Sequence, residues 1–313
     1  MKKLIFAVLA IMVMAAPMAN AQKVNKEAVL AKLEKADADV ANPKKGTKAA
    51  TWMARGKAYY DAAVAPTKDI FNGMELSVAQ LAIGKPEATN EGVVLNGQKY
   101  TEMVYPWMKV YVAGGKIVTW IVTQSVKEGD LAMEALNSYN KAFELDPKQA
   151  PKIAEALKFI ENYYSQGGNA AMDAGLFSRA AELYNCGYTV QESPAYAGQK
   201  NSDYLYFAGY LWTVDGANNK ASFVKGAEAL NKALANGYTD KEGNIYYYLY
   251  HAYYGQTDSA VREANMQRAK QLLMEGLSKF PNNDRIIEGL INVYTSSDSN
   301  SDPKELLEMV NNA

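Results

Sequence analysis

The sequence predicts an all-α fold, a solenoid of paired helices carrying one small antiparallel β insertion near its start. Three observations carry that expectation. Small and aromatic residues recur at fixed helical spacings in successive blocks along most of the chain. Apolar residues between those positions keep a helical period. Between residues 63 and 129 the period changes, and β-branched and aromatic residues dominate.

The elements follow in chain order. Residues 1–21 read as an export signal: Lys2 and Lys3, then an apolar stretch from Leu4 to Met18, then the small-x-small pattern Ala19-Asn20-Ala21. That stretch is shorter than the roughly 20 residues a membrane span needs. No cysteine follows it, so no lipid anchor is expected there. The expectation is cleavage after Ala21, no membrane insertion afterwards, and a periplasmic or secreted mature chain. Residues 22–48 form a capping helix, centred on Lys26 to Pro43 with Ala31 and Ala38 on one face.

Residues 49–62 and 130–160 make the first repeat, split by the insertion, with its linker. Trp52, Gly56 and Tyr59 have the spacing of a first helix, and Ala135, Tyr139, Ala142 and Pro147 that of a second. Small residues sit where two helices approach closely, large rings fill the gaps, and proline past the second helix ends it. Within 63–129, Asn96-Gly97 and Gly114-Gly115 are hairpin turns between β-type arms, predicting three or four antiparallel strands. Met74 to Ile83 before them reads as a short amphipathic helix, and the whole insertion is expected to project from one face. The spacing then recurs in 161–194 (Tyr164, Gly168, Ala180, Tyr184, Gly187), 202–238 (Leu205, Gly209, Trp212, Gly226, Leu230, Ala233) and 243–281 (Tyr246, Leu249, Ala252, Ala269, Leu273, Gly276, Pro281). Residues 284–313 hold a last helix pair, through Ile287, Leu290 and Tyr294 and then Asp302 to Asn311.

These blocks resemble the tetratricopeptide repeat family, over nearly all of the mature chain except residues 63–129. Arg55 departs from the family's usual leucine. The resemblance implies a right-handed α-solenoid whose stacked first helices line a concave groove. It places Lys57, Tyr60, Asn162, Asn169, Asp203, Tyr206, Tyr210, Tyr247, His251, Tyr254, Glu288 and Asn292 along that groove. Met53 stands where chaperone-binding members carry a clamp lysine, so carboxylate clamping is not implied.

Composition narrows the chemistry. The net charge of −1 and pI near 6.0 supply no basic face for nucleic acid. The chain has one histidine, His251, and one cysteine, Cys186, too few for a zinc site, a histidine triad or an internal disulfide. Cys186 lies in an apolar helical stretch and reads as a buried structural thiol. Asp298 to Asp302 opens like a calcium loop but has Pro303 and Met309 where glycine and glutamate belong. No phosphate loop or nucleophile elbow appears, and Gly167-Gly168 reads as close helix packing. Asp37 and Asp39 read as solvated charges. No cofactor, metal or catalysis is expected. What remains is a binding surface rich in tyrosine, of which the chain has 22 against 8 Phe. Tyrosine gives wide contact area and a hydroxyl at low entropy cost, which suits protein or peptide recognition. The alternative is sugar binding by the same rings, similar to exported helical-repeat glycan binders of Bacteroidetes-like bacteria.

Overall fold

The computed structural model describes residues 24–295 together with Lys304. The expected export signal, the Asp298 loop and the helix from Asp302 to Asn311 lie outside these residues. Among the described residues the chain is mostly helical, with eleven α-helices and one four-stranded antiparallel sheet. The helices are α1 (Lys26–Ala41), α2 (Ala49–Val64), α3 (Leu76–Ile83), α4 (Leu131–Leu145), α5 (Ala150–Asp173), α6 (Phe177–Gln191), α7 (Asp203–Asp215), α8 (Ala221–Ala235), α9 (Asn244–Tyr254), α10 (Arg262–Lys279) and α11 (Asp284–Thr295).

Apart from α3, which packs with the sheet, the helices pack on their neighbours in chain order, and the small residues mark the crossings. α2 packs on α4 across the insertion; a Cβ on Gly56 would meet the Tyr139 ring at 2.9 Å, and Ala135 and Ala142 are fully buried beside it. α5 and α6 run antiparallel, with Gly168 under the Tyr184 ring and Gln191 bonded back to Glu161. α7 and α8 cross backbone to backbone: a Cβ on Gly209 would stand 2.5 Å from Leu230 and 3.0 Å from the Gly226 carbonyl. In α9 and α10, Gly276 lies against Tyr246. Successive pairs join through Gly187 against Tyr204, Gly255 against Phe223, and Gly289 against Leu273. The absent side chains let helices approach to a distance that Ala or larger residues forbid.

Helix ends follow local chemistry. Asn25 and Asp130 cap α1 and α4 by accepting the amides of Ala28 and Met133. Pro151 lies in the first turn of α5, where its missing N–H costs nothing. This start corrects the linker expected up to residue 160: α5 already begins at Ala150. Asp146-Pro147 and the short 3-10 turn Pro147–Gln149 are all that separate it from α4.

The insertion has its own core. Strands β1 (Ala88–Leu95), β2 (Gln98–Val104), β3 (Met108–Ala113) and β4 (Lys116–Val122) form a meander in that order. Asn96-Gly97 and Gly114-Gly115 turn its hairpins with positive φ at both residues. A bulge between Asn90 and Val93 bends the outer strand β1. Ile70 and Ala79 pack with Met103, Met108, Val110, Val112 and Ile117 on one face of the sheet. The opposite face carries Glu102, Tyr111 and Thr119, register partners across β2, β3 and β4. This face does not simply project. β4 packs on α5, and the Thr119 hydroxyl donates to the Ala170 carbonyl at 2.6 Å.

Two further features differ from the sequence reading. Asp37 is no solvated charge: it accepts Arg55 Nε at 2.8 Å, the Tyr59 hydroxyl at 2.7 Å and Lys127 Nζ at 3.2 Å. Arg55, the departure from leucine, also reaches Glu134 at 3.0 Å and Ser138 at 2.7 Å, and lies 4.2 Å over the Tyr59 ring. One guanidinium thus ties α1, α2 and α4 together where an aliphatic chain would fill space only. Asp39 pairs separately with Lys45 at 2.6 Å.

Candidate functional site

Three turns of α7 and α9 carry tyrosine on successive positions of one face. Leu205, Ala208 and Leu211 of α7, and Ile245, Leu249 and Ala252 of α9, are buried and fix the rotation of each helix. Tyr206 and Tyr210 on α7, and Tyr247, Tyr248, His251 and Tyr254 on α9, are left half-buried. Their rings connect. Tyr206 stacks on Tyr238 at 4.7 Å and meets Tyr248 at 6.1 Å; Tyr210 meets Tyr248 at 4.7 Å. Tyr247 joins Tyr248 at 5.7 Å and His251 at 4.4 Å, and Tyr254 joins through Tyr250 at 5.4 Å. Exposed Phe207 extends the patch beside Tyr206.

Tyr248 is the residue sequence reasoning missed, and it is the hinge of the patch. A strict one-face assignment of α9 takes Tyr247, His251 and Tyr254 and skips its neighbour. The signal lay in the run Tyr246-Tyr247-Tyr248, too aromatic for a single stripe to absorb. Tyr248 also accepts from Arg285 of α11 at 2.8 Å, a partner the sequence did not nominate.

Of the expected groove residues, the structure brings together Tyr206, Tyr210, Tyr247, His251 and Tyr254. Asp203 is exposed at the start of α7, three residues before Tyr206; Glu288 is exposed on α11, and its charge acts on Tyr247 and His251. Asn292 reaches Tyr250. Lys57 and Tyr60 stand apart on α2: Lys57 pairs with Asp61 at 2.6 Å, and Tyr60 lies 6.3 Å from exposed Phe159 of α5. Asn162 is exposed on α5. Asn169 is exposed on α5 and accepts the Tyr184 hydroxyl of α6.

Burial favours the neutral forms of Tyr206, Tyr247, Tyr248 and His251. Burial, then the charges of Asp240 and neighbouring phenols, raises Tyr206. Burial and Glu288 raise Tyr247, and burial raises Tyr248 against the pull of Arg285. Burial lowers His251 below its ordinary value, against Glu288, so the ring is neutral near pH 7. The phenols therefore keep their protons and can donate hydrogen bonds.

A cavity of about 370 Å³ lies elsewhere, between the insertion and the helices. Trp120, Val122 and Ser125 from the sheet side face Ala63, Tyr163 and Arg179 from α2, α5 and α6. Cys186 is half-buried, and burial, with the charge of Asp130, lifts its thiol to about 11, so it is no ready nucleophile. Among the described residues no three His, Cys, Asp or Glu side chains converge on a metal position, and no helix is long and apolar enough to cross a membrane.

The chain matches no family model and no curated protein sequence. The physical arrangement of the site therefore carries the functional reading.

Proposed function

We propose that the protein is a non-catalytic scaffold of the cell envelope, built of tetratricopeptide-type repeats, that binds a protein or peptide on its tyrosine-rich face. The observation that carries this reading is the connected run of half-buried rings from Tyr206 to Tyr254, spread over two helices that pack side by side. Rings held by their neighbours lose little freedom on binding, and each presents an apolar face and a hydroxyl together. The helix pairing in chain order and the glycine crossings support the repeat-type architecture.

The test uses the intact mature chain on a resin, incubated with envelope extract. The wild type is expected to retain one protein in stoichiometric amount. The triple variant Tyr206→Ala, Tyr210→Ala and Tyr247→Ala is expected to lose it while keeping its helical circular dichroism. Undiminished recovery by that variant moves binding off this face. Retarded migration of the wild type in polysaccharide affinity gels, with no protein retained, replaces the peptide reading with glycan binding.

A further inference from the structure

The chemistry of the occupant follows from what the tyrosine face lacks, an inference that rests on the binding role just proposed. Elsewhere this protein uses aromatic rings as seats for its own cations. Arg55 lies 4.2 Å over Tyr59, Lys270 4.4 Å over Tyr294, Lys232 4.8 Å over Tyr188 and Lys279 5.4 Å over Tyr246. Among the described residues, Tyr206, Tyr210, Tyr247 and Tyr254 seat none. Their rings are half-buried. A protonated phenol presents a negative ring face, which attracts guanidinium and ammonium groups.

The charges around the face have the complementary sign. Asp203 on α7 and Glu288 on α11 are exposed, and no hydrogen bond or ion pair engages either carboxylate among the described residues. Asp240, next to Tyr238, spends its oxygens on the amides of Glu242, Asn244 and Ile245, yet its charge is still felt at Tyr206 and Tyr238. Arg285 of α11 also borders this face: its guanidinium donates to the Tyr248 hydroxyl, and its charge is felt at Tyr247 and Tyr248. An anionic partner would meet Asp203 and Glu288, two carboxylates without an ion pair among the described residues.

We propose that the face formed by α7, α9 and α11 recognises a cationic peptide segment. Its arginine or lysine side chains lie against the accessible parts of the tyrosine rings, and Asp203 and Glu288 pair with its charges from the α7 and α11 sides. Because the whole protein has a net charge of −1, general electrostatic attraction contributes little, and recognition depends on this local pattern.

Three labelled peptides of one length test this: a Gly/Ser chain bearing three arginines, the same chain with citrulline, and the same chain with glutamate. Fluorescence anisotropy against the full mature chain is expected to give saturable binding for the arginine peptide, at least about tenfold tighter than for the other two. Affinity is expected to fall with added salt. The isosteric variant Asp203→Asn with Glu288→Gln is expected to weaken the arginine peptide about tenfold, with the melting temperature unchanged. The tyrosine triple variant is expected to do at least as much.

Equal binding of the citrulline peptide, or arginine binding that survives either variant, overturns the proposal. Failure of all three peptides overturns it too. The scaffold reading is judged separately: a natural partner still lost with the three tyrosines leaves that reading standing while cation recognition falls.

Discussion

At the scale of single residues, the structure rests on what is missing from a few side chains. Gly209 faces a backbone carbonyl and the branch point of Leu230 at once, neither of which can move away. Gly209→Ala is therefore expected to destabilise the fold by about 1–3 kcal/mol, read from the urea midpoint. Ala135→Leu at the fully buried crossing of α2 and α4 is expected to cost a similar amount. Such positions are legible in sequence because close approach demands small residues at fixed spacing. The Arg55 network is not, because Asp37 lies 18 residues away and Glu134 lies 79 away, so no local pattern joins them. Its consequence is a pH dependence. Burial raises the Asp37 carboxyl, but hydrogen bonds from Tyr59, Arg55 and Lys127 outweigh it and hold the group below its ordinary value of 3.8. The folded state thus binds this proton less readily than the unfolded state. Its stabilisation is complete above the ordinary value and disappears as pH falls through the lower folded one. Asp37→Asn is expected to lower the melting temperature at pH 7 and to flatten the loss of stability below about pH 4, compared with wild type by thermal scans across that range.

At the scale of elements, the insertion is the individual part of the chain, and its interior was readable in advance. Asn96-Gly97 and Gly114-Gly115 need positive φ, and the β-branched and aromatic arms on either side of them marked the hairpins. Its attachment was not readable, because the hydroxyl and the helix carbonyl that meet where β4 packs on α5 lie 51 residues apart. The start of α5 escaped for a different reason. A repeat template set the boundary at residue 161, while Pro151 in the first turn marked the physical start. Thr119→Val removes the donor that meets Ala170 and is expected to cost about 1 kcal/mol. Hydrogen exchange should locate that loss in β4 and the second half of α5. Equal protection there in both proteins would mean that apolar contact alone holds the sheet in place.

At the scale of the whole molecule, two buried clusters divide the helical part. One runs from Leu33 of α1 to Ala229 of α8, and the other from Tyr188 of α6 to Tyr294 of α11. They interleave at α6, α7 and α8, where Leu211 belongs to the first and Leu205 and Leu230 to the second. Each helix otherwise touches only near neighbours in the chain. Stability in such an arrangement is close to a sum of local pairs and the interfaces between them, so damage stays near its origin unless it falls where both clusters meet. Leu290, fully buried on α11, belongs to the second cluster alone. Leu290→Ala removes about 2–5 kcal/mol of packing, and amide exchange is expected to accelerate in α9, α10 and α11 while α2, α4 and α5 keep their protection. Leu211→Ala, of similar burial but at the junction, is expected to accelerate exchange on both sides. The contrast bears on the proposed binding face because Tyr247 and Tyr248 pack against the C-terminal cluster. A protein that loosens there first would lose the tyrosine face before its fold. If Leu290→Ala instead raises exchange evenly from α2 to α11, the helices fold as one cooperative unit, and the tyrosine face is as durable as the core.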